Sequence, residues 1–322
     1  MLLHGSLKKI LSFCQEENFM RATGKKENFI TWIAMVLFLC LFTGGTVRAA
    51  ESRQIREVDN VLNCIKNGVA VKDSYVAVVS ADNEYKIVKP CTENSKIYYF
   101  DKNGAGAVYK GTGFIKIAYN GKTKTYYSKK GKLLVNQIVG SKKTGYYYVD
   151  TTGVKITDKT VQYAVKFVKA HTKSSDSQKT KLKKCYNYLW KHYKYQRVYG
   201  SATSRALNPK AKDMSKISKA MFKSKKGNCH RYAACFAYIA RVLGYDSKVA
   251  VGRVTSLHGG WTPHGWTLVK YNKSGKKYKW YICDPDMEIN NVSAYMKATH
   301  PCKVKTKWKC TLTIKDGKVS WK

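Results

Sequence analysis

Carboxylates are scarce in this chain. Its 322 residues hold 20 Asp and Glu against 60 Lys and Arg, a formal charge of +40. Those acids form no ligand cluster, so calcium dependence has no support. Zinc is poorly served too, because the ten cysteines include no C-x-x-C pair. No finger spacing, helix-turn-helix or aromatic RNP segment occurs, and the lysines are spread rather than gathered into one arm. Groove-specific nucleic-acid binding is therefore not expected. No lipobox surrounds Cys40, which removes the lipoprotein reading. Tryptophan is absent from 33 to 189.

What is present is apolar material and positive charge. A hydrophobic fraction of 44% is enough for one large domain or two modest ones. The charge excess concerns partners rather than fold, and suits nucleic acid, an anionic membrane surface or an anionic polymer such as a cell wall. The N-terminus narrows this. Lys25 and Lys26 precede an apolar run from Phe29 to Thr43, followed by Gly44-Gly45 and Val47-Arg48-Ala49-Ala50. A basic region, a short apolar run and a V-x-A site read as a secretory signal, with Met20 as an alternative start. The other reading of residues 1–50 is an uncleaved membrane anchor through 29–46, although the run falls short of the roughly 20 apolar residues of a spanning helix. Both place the rest outside the cytoplasm, secreted or on the cell surface. Removing 1–50 takes six Lys/Arg and three Asp/Glu and leaves +37. An exported protein of that charge meets wall polymers or host surfaces before chromosomal DNA, so the expected partner is an anionic cell-wall polymer. A membrane enters only through the N-terminal segment.

From about 95 to 155 a tyrosine-rich unit repeats: Tyr98-Tyr99-Phe100-Asp101-Lys102-Asn103-Gly104, Tyr126-Tyr127-Ser128-Lys129-Lys130-Gly131, and Tyr147-Tyr148-Val149-Asp150-Thr151-Thr152-Gly153. Aromatic doublets followed by a polar turn and glycine predict short β-hairpins in series over a β-rich region, 51–157. The unit resembles the aromatic cell-wall-binding repeats of Gram-positive surface proteins. It departs from them in lacking tryptophan, the best member of a cage for a quaternary ammonium group.

From Asp158 the period changes to that of a helix, with Asp158 as its N-cap. A second helix starts near Asp176 and runs through Leu182, Cys185 and Leu189 toward Tyr193-Lys194-Tyr195. An apolar segment around Ile217 and Phe222 ends at Lys225-Lys226-Gly227. A further helix from Cys229 to Leu243 has Gly244 as its stop. Strands follow at Lys248–Val254, His264–Tyr271 and Tyr278–Cys283, the last two joined by the turn Asn272-Lys273-Ser274-Gly275. Helices followed by an antiparallel meander mark 158–322 as an α+β domain.

Gly227-Asn228-Cys229 opens its helix with a thiol in the first turn, where unpaired amide N–H groups and the macrodipole favour the thiolate. The Cys229 N–H there is also placed to serve as an oxyanion donor. A thiol nucleophile needs a base, and the base an orienting acceptor on its other nitrogen. His264 begins one hairpin strand and Asp284 follows the end of its partner, so the carboxylate can reach the imidazole. His258 competes as base from a Gly-rich loop, and Asp286 competes with Asp284. His230 reads as a helix-surface residue. Trp261, Trp266 and Trp280 read most simply as packing residues, with Trp261 and Trp266 also candidates for a substrate cleft.

Gly227-Asn228-Cys229, then Gly244-Tyr245, then His264-Gly265-Trp266, then Trp280-Tyr281 ahead of Asp284-Pro285 together resemble the core of the transglutaminase-like superfamily over roughly 160–290. The resemblance implies a papain-like α+β fold, helices packed on an antiparallel sheet, with Cys229 as nucleophile, His264 as general base and acid, and Asp284 as orienter. It also implies an oxyanion side chain upstream of the cysteine, for which Tyr193 and Tyr195 are candidates. Gly265 departs from the commoner alanine, and Thr267 stands where asparagine is frequent. Function then reads as an exported cysteine enzyme acting on peptide or side-chain amides through a thioester, either a protease or amidase or a cross-linking acyltransferase. No cofactor is required, and the substrate is a protein or peptide. The rival class is a non-catalytic wall-binding or adhesion protein that keeps the fold as a scaffold. Of the other cysteines, Cys302 with Cys310 and Cys64 with Cys91 are candidate disulfides, whereas Cys185, Cys235 and Cys283 fit apolar core positions.

Overall fold

The computed structural model describes residues 53–81, 84–197, 207–256, 259–272 and 277–322. The expected signal or anchor at 1–50, His258 and the turn at 273–275 lie outside the described residues. Among the described residues no helix is long and apolar enough to cross a membrane. The chain from Glu51 onward clusters as one compact unit.

That unit begins with short strands: β1 (Arg53–Val58), β2 (Val61–Lys66), β3 (Val69–Ala70), β4 (Ser74–Ala81) and β5 (Glu84–Ile87). They continue as β6 (Lys96–Phe100), β7 (Ala105–Val108), β8 (Gly113–Tyr119), β9 (Lys122–Lys129) and β10 (Lys132–Leu133). Their sheet runs in the order β1-β2-β7-β6-β4-β8-β9-β10, with β3 on β2 and β5 on β4. The aromatic doublets behave as period-two strand residues: Tyr98 and Tyr126 are buried while Tyr99 and Tyr127 are partly exposed. The hairpin β9–β10 turns on Lys130-Gly131, both with left-handed φ (52° and 82°), the geometry that a two-residue hairpin turn demands. The other two repeats turn differently. Asp101 Oδ1 accepts the backbone N–H groups of Asn103 and Ala105, at 2.8 and 2.9 Å.

The third repeat forms its own hairpin, β11 (Gln137–Ser141) with β12 (Gly145–Val149). Lysines of the chain itself cover its outer rings, Lys155 Nζ lying 3.6 Å from the Tyr147 centroid and Lys169 Nζ 4.2 Å from that of Tyr146. Its inner ring, Tyr148, belongs to the same core cluster as the helices that follow. The Tyr148 hydroxyl donates to Asn136 Oδ1 at 2.6 Å, and Asn136 Nδ2 donates to the Gly244 carbonyl at 3.0 Å.

Among the described residues, four main helices come next. They are α1 (Lys159–His171), α2 (Gln178–His192), α3 (Met214–Ser224) and α4 (Cys229–Val242). Asp158 caps α1 by accepting from Thr160 N and Val161 N, and Ser177 caps α2 by accepting from Thr180 N. Between α2 and α4, β13 (Lys194–Tyr195) pairs in parallel with β14 (Lys226–Gly227). Every residue of α4 except Arg231 is buried, as expected of a helix enclosed on all sides. It stops at Gly244, whose φ is +91°, while Tyr245 N donates to the Ala240 carbonyl at 3.0 Å.

Helix α4 lies on a six-stranded sheet. Its strands are β15 (Ser247–Thr255), β16 (Trp261–Tyr271), β17 (Lys279–Cys283), β18 (Tyr295–Lys297), β19 (Val304–Lys315) and β20 (Lys318–Trp321), with the short α5 (Pro285–Ile289) after β17. The order is β18-β17-β16-β15-β19-β20, antiparallel throughout. Small residues set the helix close: Ala233, Ala234 and Ala237 pack with Val249 and Val251. Two buried hydroxyls fix its register, Thr267 Oγ1 donating to the Ala233 carbonyl and Ser247 Oγ to that of Ala237. Helices on an antiparallel sheet are the α+β arrangement that the sequence predicts.

The expected disulfides are not formed; Cys64, Cys91, Cys302 and Cys310 carry free thiols. Each expected pair is divided between packing clusters. Cys64 sits with Val76 and Phe100, and Cys91 against Ile115 and Tyr126. Cys310 packs under α4 with Ala233, whereas Cys302 packs with Trp266 and Ile282. Cys185, Cys235 and Cys283 lie in the main core as expected.

Asp150 ties these parts together. Its Oδ1 accepts from Thr152 N, Thr152 Oγ1 and Val154 N, and its Oδ2 accepts from Gly317 N at 2.8 Å in the turn between β19 and β20. Replacing it strands several buried donors at once. Asp150→Ala is expected to lower stability in urea denaturation by on the order of 3 kcal/mol. The half-exposed Asp101→Ala should cost less than about 1 kcal/mol, and equal losses would contradict the ranking.

Candidate active site

Gly227 brings the chain to the start of α4. A Cβ there would meet Arg231 Cβ and Cδ at 2.7 Å, so only glycine permits the approach. Asn228 then caps the helix by accepting from Arg231 N, and Cys229 occupies its first position. The thiol is 2% exposed, and its sulfur lies 4.0 Å from the Pro263 carbonyl of β16.

His264 sits at the same end of the sheet. Register in the β16–β17 pair runs from Tyr271↔Lys279 to Thr267↔Cys283, and the two chains then continue to His264 and Asp284. The His264 Nε2 to Asp284 Oδ2 distance is 2.6 Å, with both side chains buried. Nδ1 remains for the other side of the ring, where Asp286 Oδ2 lies 3.7 Å away. Atoms of Cys229, His264 and Asp286 fall within 4.8 Å of one another. The three residues expected to act together are thus brought together, and Asp286 stands on the sulfur side of the imidazole rather than behind it.

Burial alone would raise the Cys229 thiol pKa. The imidazoles of His230 and His264 outweigh it and hold the thiol at about 5. Burial would likewise lower His264, yet the Asp284 carboxylate and the Cys229 thiolate push it well above the usual imidazole value. Asp284 is held below the usual carboxylate range: burial raises it, but the His264 charge and the two imidazole hydrogen bonds prevail. Asp286 goes the other way, because burial and the adjacent thiolate both favour its neutral form.

Two histidines complete the site in ways the sequence reading does not anticipate. His300, in the loop between β18 and β19, has Nε2 3.1 Å from Asp284 Oδ2. Its Nδ1 accepts from Cys302 N at 3.1 Å, so Nε2 carries the proton given to the carboxylate. His230 is not on the surface. It is 1% exposed, and its Nδ1 lies 3.5 Å from the Cys229 sulfur. The backbone of Asp284 is anchored too: the Tyr186 hydroxyl lies 2.9 Å from its carbonyl and 3.1 Å from Glu288 Oε1.

The remaining candidates divide. Tyr195 pairs with Gly227 in the short parallel bridge, two residues from Cys229. Tyr193 is buried in the helical core against Phe167, and its carbonyl accepts from the Tyr232 hydroxyl at 2.7 Å. Trp266 is only 2% exposed. It is buried with Ala250, Val254 and Ile282, 5.4 Å from the His300 ring, because its strand position faces that cluster. Trp261 is half-buried with Lys305 Nζ 4.5 Å above its ring.

Residues 165–285 match the family model described as the transglutaminase-like superfamily. No curated protein sequence matches the chain. Among solved structures, one described as "Crystal structure of a TGase" is similar at 20% identity with a TM-score of 0.31. The match covers 44% of this chain and 35% of that one, so the chain spans about a third of that protein's length. The core within 165–285 is transglutaminase-like.

The charge state of the thiol is directly measurable. With the thiol at about 5, alkylation of Cys229 by iodoacetamide should be on its plateau by about pH 6.5 and fall about tenfold per unit below pH 5. A rate that keeps climbing through about pH 8.5, where an ordinary thiol ionises, would show that no thiolate–imidazolium pair exists.

Proposed function

We propose that this protein is an exported cysteine enzyme that cleaves or transfers acyl groups from peptide or side-chain amides through a thioester. The observation that carries the reading is the placement of one imidazole between a helix-start thiol and a buried carboxylate, with its Nε2 2.6 Å from Asp284. That arrangement performs both proton transfers of acyl exchange. The Cys229 thiolate attacks the amide carbonyl and a carbon–sulfur bond forms. Backbone N–H groups at the start of α4 face the developing oxyanion. His264 gives its proton to the leaving nitrogen as the carbon–nitrogen bond breaks, and the acyl group is left on sulfur. An incoming water or lysine amine then gives a proton to the neutral imidazole as it attacks, and the thiolate is released. Asp284 keeps the ring in the tautomer and orientation that both steps need.

Export rests on the basic-then-apolar pattern between Lys25 and Ala50, and the positive charge spread over residues 51–322 supports an anionic wall polymer as the surface it works on. The neutral form favoured at Asp286 adds a donor on the sulfur side of the imidazole, in reach of the same reacting centre.

Incubating the full chain with a glutaminyl protein such as casein and a labelled primary amine separates the acceptors. Label in the protein identifies transfer, and free ammonia or new peptide termini identify hydrolysis. Cys229→Ala should lower either product by at least about 100-fold. Activity that survives this substitution contradicts the assignment of the nucleophile.

A further inference from the structure

The sulfur of Cys229 has a second imidazole beside it that the scheme above leaves without a task. His230 is the next residue along α4, and its Nδ1 is 3.5 Å from Sγ. Its other ring nitrogen, Nε2, is buried with no hydrogen-bond partner. Nε2 goes unpaired in either tautomer, so Nδ1 decides between them. A bare Nδ1 would turn its lone pair toward the thiolate, whereas a proton there points at sulfur and makes a hydrogen bond. The tautomer favoured beside the thiolate is therefore the one that donates to it.

The ring is also clamped. Across from it, Gly265 of β16 presents bare backbone: a Cβ at that position would lie 2.7 Å from His230 Cδ2 and 3.3 Å from Cγ and Cα. Any side chain at 265 would push the imidazole from its seat. Gly265 has no positive φ, so close approach and not backbone freedom explains the glycine. His264, one residue before Gly265, approaches the sulfur to within 4.8 Å from the sheet, while His230 contacts it from the helix.

We infer that His230 is a further catalytic residue, a fixed hydrogen-bond donor to the Cys229 sulfur, and that Gly265 is the positioning residue that holds its ring there. The inference rests on the thiol-enzyme reading and deepens it by separating two jobs. His264 exchanges protons with leaving group and acceptor, whereas His230 keeps its proton and stabilises negative charge on sulfur. That charge is present twice, before attack and again when the thioester carbon–sulfur bond breaks and its electron pair returns to sulfur. A donor that stays in place while His264 is neutral makes the thiolate a better leaving group at the second stage.

The groups facing the sulfur are His230 from α4, His264 from β16 and Asp286 from α5, with Asp284 and His300 behind His264. The test compares iodoacetamide alkylation of Cys229 against pH in the wild-type chain and in His230→Asn, His230→Leu, Gly265→Ala and the double variant His230→Leu/Gly265→Ala, with near-UV circular dichroism checking that each is folded. Asparagine can place an amide N–H where Nδ1 lies; leucine cannot. Loss of the donor in His230→Leu should move the midpoint up by about one pH unit, a roughly tenfold slower reaction below the midpoint. His230→Asn should recover most of that loss. Gly265→Ala should reproduce the leucine shift on its own and add less than about twofold in the double variant, because the ring it displaces is already gone. An unshifted midpoint in His230→Leu, or additive shifts in the double variant, overturns the inference. If leucine prevents folding, Gly265→Ala decides alone, since it keeps the histidine and moves only its ring. A wild-type chain with an ordinary thiol midpoint would instead sink the enzyme reading, so the two failures are distinguishable.

Discussion

A thiolate buried at a helix start needs compensating charge, and most of this structure serves that need. An isolated anion inside a protein reverts to its neutral form. Here the first turn of α4 offers unpaired N–H groups, His264 offers a cation whose own charge is balanced by Asp284, and His230 stands against the sulfur from the other side. The balance is cooperative. Asp284 raises His264, His264 lowers Cys229, and the thiolate in turn favours the neutral form of Asp286. Removing any member leaves a buried charge without its partner, which costs far more than the pair is worth in net stability.

The scaffold converts that electrostatic requirement into fixed distances. Helix α4 is seated on the sheet by alanines and by two hydroxyl-to-carbonyl bonds, so Cys229 and the strand end bearing His264 share one rigid body. Tyr186 of α2 holds the Asp284 backbone, and His300 takes up the carboxylate from the far side. The third tyrosine repeat joins the same body through Tyr148 and Asn136, and Asp150 fastens its turn to the last hairpin. A repeat region that looks like an independent surface module in sequence therefore also supplies core residues to the helical layer.

Local signals carried much of the fold in the sequence. Asp158 and Asn228 are caps because their side chains accept amide N–H groups within three residues, and Gly244 stops α4 because it alone tolerates φ of +91°. The valine-rich alternation of β15 and the hairpin logic behind His264 and Asp284 depend on periodicity, which a sequence displays. Other features depend on what the rest of the chain does in space. Nothing near His300 announces that it will meet Asp284, 16 residues earlier, since α5, β18 and the loop after it deliver it. His230 reads as surface because polar residues usually face outward, and only the strand that closes over the first turn of α4 buries it. Gly265 carried the missing hint, a residue with no side chain where the neighbouring ring needs the space. The candidate disulfides failed for a similar reason: closeness along the chain did not put Cys302 and Cys310 on the same side of the sheet.

The central claim is that Cys229 becomes acylated during turnover, and trapping that species tests it most directly. The chain is mixed with a glutaminyl peptide or an activated acyl ester, quenched in acid within seconds, digested and weighed by mass spectrometry. The account predicts the acyl mass on the peptide containing Cys229, removed by neutral hydroxylamine as a thioester is. Product formation with no adduct at Cys229, or with the acyl group on a different residue, would contradict it.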